Sequence, residues 1–470
     1  FDAAGNLIAN APHMPVHLGS MGDSVRAILN AFGEQLRPGD AWLINSPYAG
    51  GTHLPDITVV SPIFSQDRRT LRYFTASRAH HADVGGISPG SMPANSRHID
   101  QEGCRSDGLL IVRDGCLREA EVRNWLSNNT QPARNPEQNL ADLAAQVAAN
   151  TLGERQLRQL EGEVGAEAVI AYMGFVQDNA EAAVQRLLVN LRGGAYTLPL
   201  DDGSRIAVEI VIDSNLQRAR IDFSGSSAQQ PGNLNAPASI VHSAVLYVFR
   251  TLIDADLPLN AGVLRPLEIV LPPASLLNPA YPAAVVAGNV ETSQNIVDAL
   301  YGALGTLAAS QGTMNNFSFG DGRYQYYETV CGGAGAGPVF DGASGVHSHM
   351  TNSRLTDTEV LELNYPVRVE HFGLRRGSGG DGAHCGGDGV ERRLRFLAPM
   401  QANLLALRRL VAPFGSAGGA PGACGEQWIE HADGSREALP GIAEFSLAAG
   451  DVFVLRTPGG GGFGKRPENS

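Results

Sequence analysis

Two apolar runs, Ile57 to Phe64 and Leu71 to Ala76, joined by the polar turn Ser65-Gln66-Asp67-Arg68-Arg69, constrain this chain more than any other stretch. Runs of this length around a short polar turn form a β-hairpin. In an antiparallel hairpin centred near Asp67, facing residue numbers sum to about 135, so Asp56 is expected to face Ala79 and His53 to lie near Ala82. The hairpin's flanks are Gly50-Gly51-Thr52-His53-Leu54-Pro55-Asp56 and Arg78-Ala79-His80-His81-Ala82-Asp83-Val84-Gly85-Gly86, each with a His and an Asp three apart. Both pairs are therefore expected to meet at the hairpin's open end.

Two imidazoles and one or two carboxylates converging on glycine-flanked loops suit a divalent transition metal such as zinc, manganese or iron. The expected ligands are His53, Asp56 and His80. Asp83 is then a fourth ligand or a base acting on water. His81 is the weaker candidate ligand, because neighbours in an extended segment point to opposite sides. A single histidine at a strand end is more often a hydrogen-bonded structural group; four polar groups converging by an independent argument favour the metal.

The rest of the chain predicts an α+β, multi-subdomain fold with β-rich ends around a helical middle. Residues 1–134 read as short strands and loops with one helix over Met21 to Phe32. Residues 135–200 read as helical: Asn135 can cap, Pro136 sits at the first helical position, and Gln138 can reach back. This helix is expected to run to about Leu160, followed by a second over Ala166 to Leu191. Residues 201–310 are mixed, and residues 311–470 alternate strands with glycine runs. The 56 glycines exceed ordinary usage, and their runs are expected to form tight turns and loops near a site.

Charge excludes one class of partner. A formal net charge of −13 without a Lys/Arg cluster leaves nothing to neutralise a phosphate backbone, so nucleic acid is not expected. No apolar run reaches the ~18 residues of a membrane span. Five scattered cysteines without a CxxC pair predict reduced thiols and a cytoplasmic location. The sequence opens at Phe1 without Met or signal peptide, and further chain is expected upstream.

Other motifs are weaker. His13 and His17 are four apart, but the prolines Pro12 and Pro15 oppose a helix that would align them; His17 is as compatible with core packing as with a site. His347 and His349 share a side if extended and could bind substrate or metal. Asn289, Glu291 and Thr292 open a helix whose N–H groups could hold a carboxylate or phosphate, or simply be capped. Gly459 to Lys465 nearly matches a phosphate-binding loop, yet Arg466 stands where the magnesium-binding Ser/Thr belongs and no helix is expected to follow. Gly377-Ser378-Gly379-Gly380-Asp381-Gly382 matches GxGxxG without a following helix, so turn structure is expected there. Gly332 to Gly337 is read the same way, or as a loop closing over substrate.

Taken in order, Pro12 to His17, Gly50 to Asp56, His80 to Met92, Asn135 to Gln138, Gly288 to Gln294, Phe340 to Asn352, Gly377 to Gly389 and Thr457 to Gly464 resemble the hydantoinase B/oxoprolinase family over nearly the whole chain. The resemblance implies one part of an ATP-dependent cyclic amide hydrolase. ATP-Mg would be bound by a hydantoinase A-like, kinase-fold partner, as a separate subunit in a hetero-oligomer or as a fused domain. That partner would phosphorylate the lactam and this chain would hydrolyse it, with Asp83 or His81 as proton acceptor and Asn289, Glu291, Thr292 and His347 near the substrate. Resemblance to the carboxylase members, whose metal site uses His-x-x-Asp plus a downstream His, points again to His53, Asp56 and His80. The alternative it implies is the metal-bearing subunit of an acetone-type carboxylase. A non-catalytic scaffold and a metallo-amidase needing no ATP are the remaining readings.

Overall fold

A computed structural model of the chain describes residues 1–11 and 13–466. Pro12 lies outside the described residues, as do 467–470 and with them the expectation that no helix follows Lys465. Over the described residues the fold is α+β, built on four sheets.

The first sheet positions the site. It is antiparallel, in the order Leu71–His80, Asp56–Phe64, Ala41–Ile44, Leu109–Arg113, Cys116–Leu117. Successive strand residues point to opposite faces, and each face has its own helix. Val25 and Ile28 of helix Pro15–Phe32 pack with Trp42, Ile44, Val60 and Phe74. On the other face Leu140 and Leu143 of helix Pro136–Val164 pack with Leu43, Ile57, Val59 and Ile111.

The hairpin forms, one residue away from the expected register: Asp56 faces His80, and Ile57 faces Ala79. The cause is a bulge between Ile63 and Phe64, beside a turn closed by Ser65 N–H donating to Thr70 O at 2.7 Å. A bulge adds one residue to one strand and shifts everything beyond it. His53 is not paired in a strand but reaches back from the preceding loop. The first helix begins at Pro15 rather than Met21, since proline is well suited to a first helical position. His17 is therefore helical, while His13 precedes the helix.

Asn135 caps the long helix by accepting from Gln138 N–H, whereas the Gln138 side chain bonds Asp142 instead of reaching back. The second long helix is Ala166–Asn190. Strand Gly194–Pro199, which falls in the region read as helical, pairs with Arg205–Asp213. With Arg218–Asp222 and Leu267–Val270 these strands share the largest core with helices Ala238–Thr251 and Ser293–Leu304.

Two further sheets share a core around Phe317, Phe319, Phe396 and Phe453. Beside them the glycine runs lie backbone against backbone. Gly387 N–H donates to Ala334 O, Gly460 N–H to Gly387 O and Gly462 N–H to Ala420 O, each at 2.9 Å. A Cβ on Gly460 would stand 2.0 Å from Ala334 O. These runs form turns and irregular segments, as expected, and they are packed and hydrogen-bonded on one another. Gly332–Gly337 is largely buried in the bundle and has no freedom to close over substrate.

Candidate metal centre

At the open end of the hairpin, His53, Asp56 and His80 bring one ligand atom each within 4.8 Å of the others. Asp56 Oδ2 is 2.9 Å from His53 Nδ1, and Oδ1 is 3.2 Å from His80 Nδ1. His53 and Asp56 are each 1% exposed, whereas His80 is partly open. His53 Nε2 is buried without a partner among the described residues. A buried polar atom without a partner is costly, and an imidazole nitrogen in that position is a fit donor for a cation. The donor set of two imidazoles and one carboxylate is one that zinc, manganese or iron accepts.

Four further residues bear on the cluster. His17 Nε2 approaches Asp56 Oδ2 at 2.9 Å, and Thr52 Oγ1 donates to the same oxygen at 2.9 Å. Asn289 Nδ2 lies 3.0 Å from His53 Nδ1. The Tyr327 ring stacks on His80, with centroids 5.1 Å apart, and its hydroxyl donates to Asn316 Oδ1. Burial opposes ionisation of Asp56, but His53 and His17, through charge and hydrogen bonds, hold its carboxyl well below the usual range. Burial lowers the basicity of His53, and Asp56 partly offsets this.

Arg78, two residues before His80 on the same face, donates to Thr58, Ser20 and Ser24. Burial brings its guanidinium down to about 10. Sequence reasoning missed Thr52, Arg78 and Tyr327 and left His17 open. A signal was present: His17, Ser20 and Ser24 make a polar stripe along one side of a helix that otherwise buries Val25 and Ile28.

Several expected roles fall away. His81 is turned to the opposite face, with Nε2 3.1 Å from Gln146 Oε1 and Nδ1 3.0 Å from Asn139 Nδ2. Asp83 accepts from the N–H groups of Gly85, Gly90 and Arg134 and from the Arg134 guanidinium. Its lone pairs are filled, so neither a fourth ligand nor a free base is available in it.

The helix expected to open at Glu291 instead starts near Val286, and the acceptor at its start is internal. The buried carboxyl group of Glu102 accepts from the N–H groups of Val285 and Val286. Residues Gly288–Thr292 form a π-helical turn inside that helix, a device common at functional sites. The turn aims Asn289 at His53. Glu291 accepts from Met314 N–H, Asn316 Nδ2 and Leu407 N–H, with burial raising its carboxyl to about 7. Thr292 Oγ1 donates to Leu234 O. Both side chains are fully buried with their polar atoms engaged by protein partners, which corrects their expected place beside a substrate. His347 stands outside the cluster; burial lowers its imidazole to about 4. His349 is paired with Asp298 at 3.2 Å.

A model of the family described as hydantoinase B/oxoprolinase matches residues 1–466. 5-Oxoprolinase 1 of Arabidopsis thaliana is 44% identical over 488 residues, covering 99% of this chain; the chain spans only 38% of that protein's length. The crystal structure of an ATP-dependent caprolactamase from Pseudomonas jessenii is similar at TM-score 0.89 and 26% identity, over 100% of this chain and 85% of that one. A nucleotide-free structure of acetone carboxylase is similar at TM-score 0.87 and 18% identity, over 99% of this chain and 70% of that one, a likeness of fold. Among the described residues no helix is long and apolar enough to cross a membrane.

Proposed function

The chain belongs to the hydantoinase B/oxoprolinase family, and from that premise we propose that it is the ring-opening part of an ATP-dependent cyclic amide hydrolase of the 5-oxoprolinase or hydantoinase type. Its substrate is a lactam phosphorylated by a kinase-like, hydantoinase A-like subunit or fused domain. The likeness to 5-oxoprolinase 1 and to an ATP-dependent caprolactamase supports this reading. The observation that carries it is the buried cluster His53, Asp56 and His80 with an unpartnered imidazole nitrogen.

A lactam carbonyl is a poor electrophile because the nitrogen lone pair is delocalised into it. Phosphorylation of the oxygen removes that stabilisation. Water then adds to the activated carbon, the C–N bond breaks with a proton passing to nitrogen, and a second water releases phosphate. A divalent cation held by His53, Asp56 and His80 would supply Lewis acidity and lower the pKa of water toward ~7. Around it, Asn289 Oδ1 and the hydroxyls of Ser318 and Thr329 are buried and unpartnered. Ser318 faces Tyr327 across its sheet and Thr329 follows two residues on, so both share the face whose Tyr327 stacks on His80. These groups are the candidates to hydrogen-bond the ring amide. Asn289 thereby keeps a place near the substrate, by contact with the cluster rather than as a helix-end anion site.

The test is turnover of 5-oxoproline, hydantoin and a caprolactam-type ring by the chain with its kinase-like partner, with and without ATP and bicarbonate. ATP-dependent ring opening without bicarbonate is expected. Bicarbonate-dependent carboxylation would replace the reading with a carboxylase, and ring opening by the chain alone without ATP would make it a self-sufficient amidase.

A further inference from the structure

We propose that His17 is a positioning residue of the metal centre, holding the Asp56 carboxylate in the orientation that presents it to the cation; the proposal rests on the metal reading of His53, Asp56 and His80. Within the Asp56 carboxylate the two oxygens are treated differently. Oδ2 receives His17 Nε2 at 2.9 Å and Thr52 Oγ1 at 2.9 Å beside His53 Nδ1 at 2.9 Å, while Oδ1 faces His80 Nδ1 at 3.2 Å. His17 is not one of the three residues whose ligand atoms are mutually within 4.8 Å, so it meets Asp56 from outside the cluster. A buried carboxylate needs a donor on each oxygen. His17 can serve Oδ2 only with its proton on Nε2, so the bond sets the tautomer of the imidazole and, reciprocally, the rotation of the carboxylate.

The backbone is arranged for this contact. His17 is the third residue of helix Pro15–Phe32, whose start is pinned where Val16 N–H donates to Met350 O at 3.2 Å and Ser243 Oγ donates to Val16 O at 2.8 Å. Along the same stripe, Ser20 and Ser24 hold the guanidinium of Arg78. One helix face therefore orients the acidic ligand and braces the strand that carries His80. His17 also lines a cavity of about 1100 Å³, together with Met14, Met21 and Arg78. A smaller or differently shaped side chain at this position consequently has room, and the substitution separates orientation from packing.

The experiment compares wild type with His17→Ala, His17→Gln and His13→Ala, a neighbour lining the same cavity. Zinc affinity is read by competition with a chromophoric chelator, the cobalt-substituted protein by its visible spectrum, and folding by thermal unfolding. Loss of an outer partner of a metal ligand costs on the order of 10- to 100-fold in metal affinity. His17→Ala is expected to show that loss with an altered cobalt spectrum. His17→Gln, whose amide Nε2 takes the place of the imidazole Nε2, is expected to recover most of it, and His13→Ala to match wild type. Wild-type affinity in His17→Ala, with metal already lost in His53→Ala, would overturn the role of His17 and leave the centre standing. Full metal in His53→Ala would instead remove the metal reading itself. Weak binding in both His17→Ala and His17→Gln, in step with lowered unfolding temperatures, would reduce His17 to a packing residue. If His17→Ala does not fold, His17→Leu against His17→Gln makes the same comparison of donor and no donor.

Discussion

Asp56 and His80 face each other across the two strands of the hairpin, carboxylate Oδ1 to imidazole Nδ1 at 3.2 Å. A slip of one residue would place Ala79 there and turn His80 to the opposite face. The bulge at Ile63/Phe64 is thus part of what builds the centre, and the helix behind the hairpin is what keeps its register.

That bracing can be removed at one residue. Gln146 donates to the carbonyl oxygens of Ile57 and Ser77, one on each strand, and its Oε1 meets His81. Truncation leaves these buried groups without partners, each worth about 1–3 kcal/mol. Gln146→Ala is expected to lower stability by about 2–3 kcal/mol in denaturant unfolding. An unchanged midpoint would mean that the hairpin holds its register without the helix.

Glu102 predicts a pH dependence. Burial raises its carboxyl from 4.5 to about 8, against the donors Val286 N–H, Ser96 and Val285 N–H. The folded state therefore holds this proton more tightly than the unfolded chain. Its stabilising contribution is complete below pH 4.5 and is lost as pH rises through about 8. Across that window the group contributes a fall of up to about 1.4 kcal/mol per pH unit. Glu102→Gln, which cannot ionise, is expected to flatten that part of the stability–pH curve. Parallel curves for the two proteins would show that Glu102 does not titrate in the window.

The glycine bundle and the near-match to a phosphate-binding loop make opposite predictions for neighbouring residues. Gly460→Ala forces a Cβ to within 2.0 Å of Ala334 O and against the Ala334–Gly335 peptide, which is backbone and cannot swing aside. A loss of about 3 kcal/mol or more is expected, visible as a lowered unfolding temperature. Lys465→Ala, on an exposed side chain, is expected to leave both stability and ATP use by the assembled enzyme unchanged. Loss of nucleotide binding in an otherwise intact Lys465→Ala protein would mark a nucleotide site in this tail.

Much of this arrangement was legible in residue order. The apolar runs around Ser65–Arg69 declared the hairpin, and the His-x-x-Asp spacing beside it declared the cluster, because strand pairing is a short-range consequence of pattern. What stayed hidden depended on distant segments. The Ile63/Phe64 bulge moved the register by one residue without a distinguishing signal in the turn. Asp83 read as a fourth ligand or base and His81 as a weaker ligand or proton acceptor, because nothing local shows that Arg134, Asn139 and Gln146 occupy them. The helix start at Val286 does meet an acceptor, but it is the Glu102 carboxyl group, from about 180 residues away. The glycine runs read correctly as turns and loops, but nothing local reveals that four separate segments pack on one another.

Metal content measured by elemental analysis, in wild type and in His53→Ala and His80→Ala purified together, bears most directly on the function proposed for this chain. Wild type is expected to carry close to one zinc, manganese or iron per chain. Each variant is expected to bind it at least about 100-fold more weakly, beyond the loss typical of an outer partner, and to fail in ATP-dependent ring opening with the kinase-like partner. Equal metal in all three proteins, or full ring opening by a metal-free wild type, would contradict a metal centre at His53, Asp56 and His80.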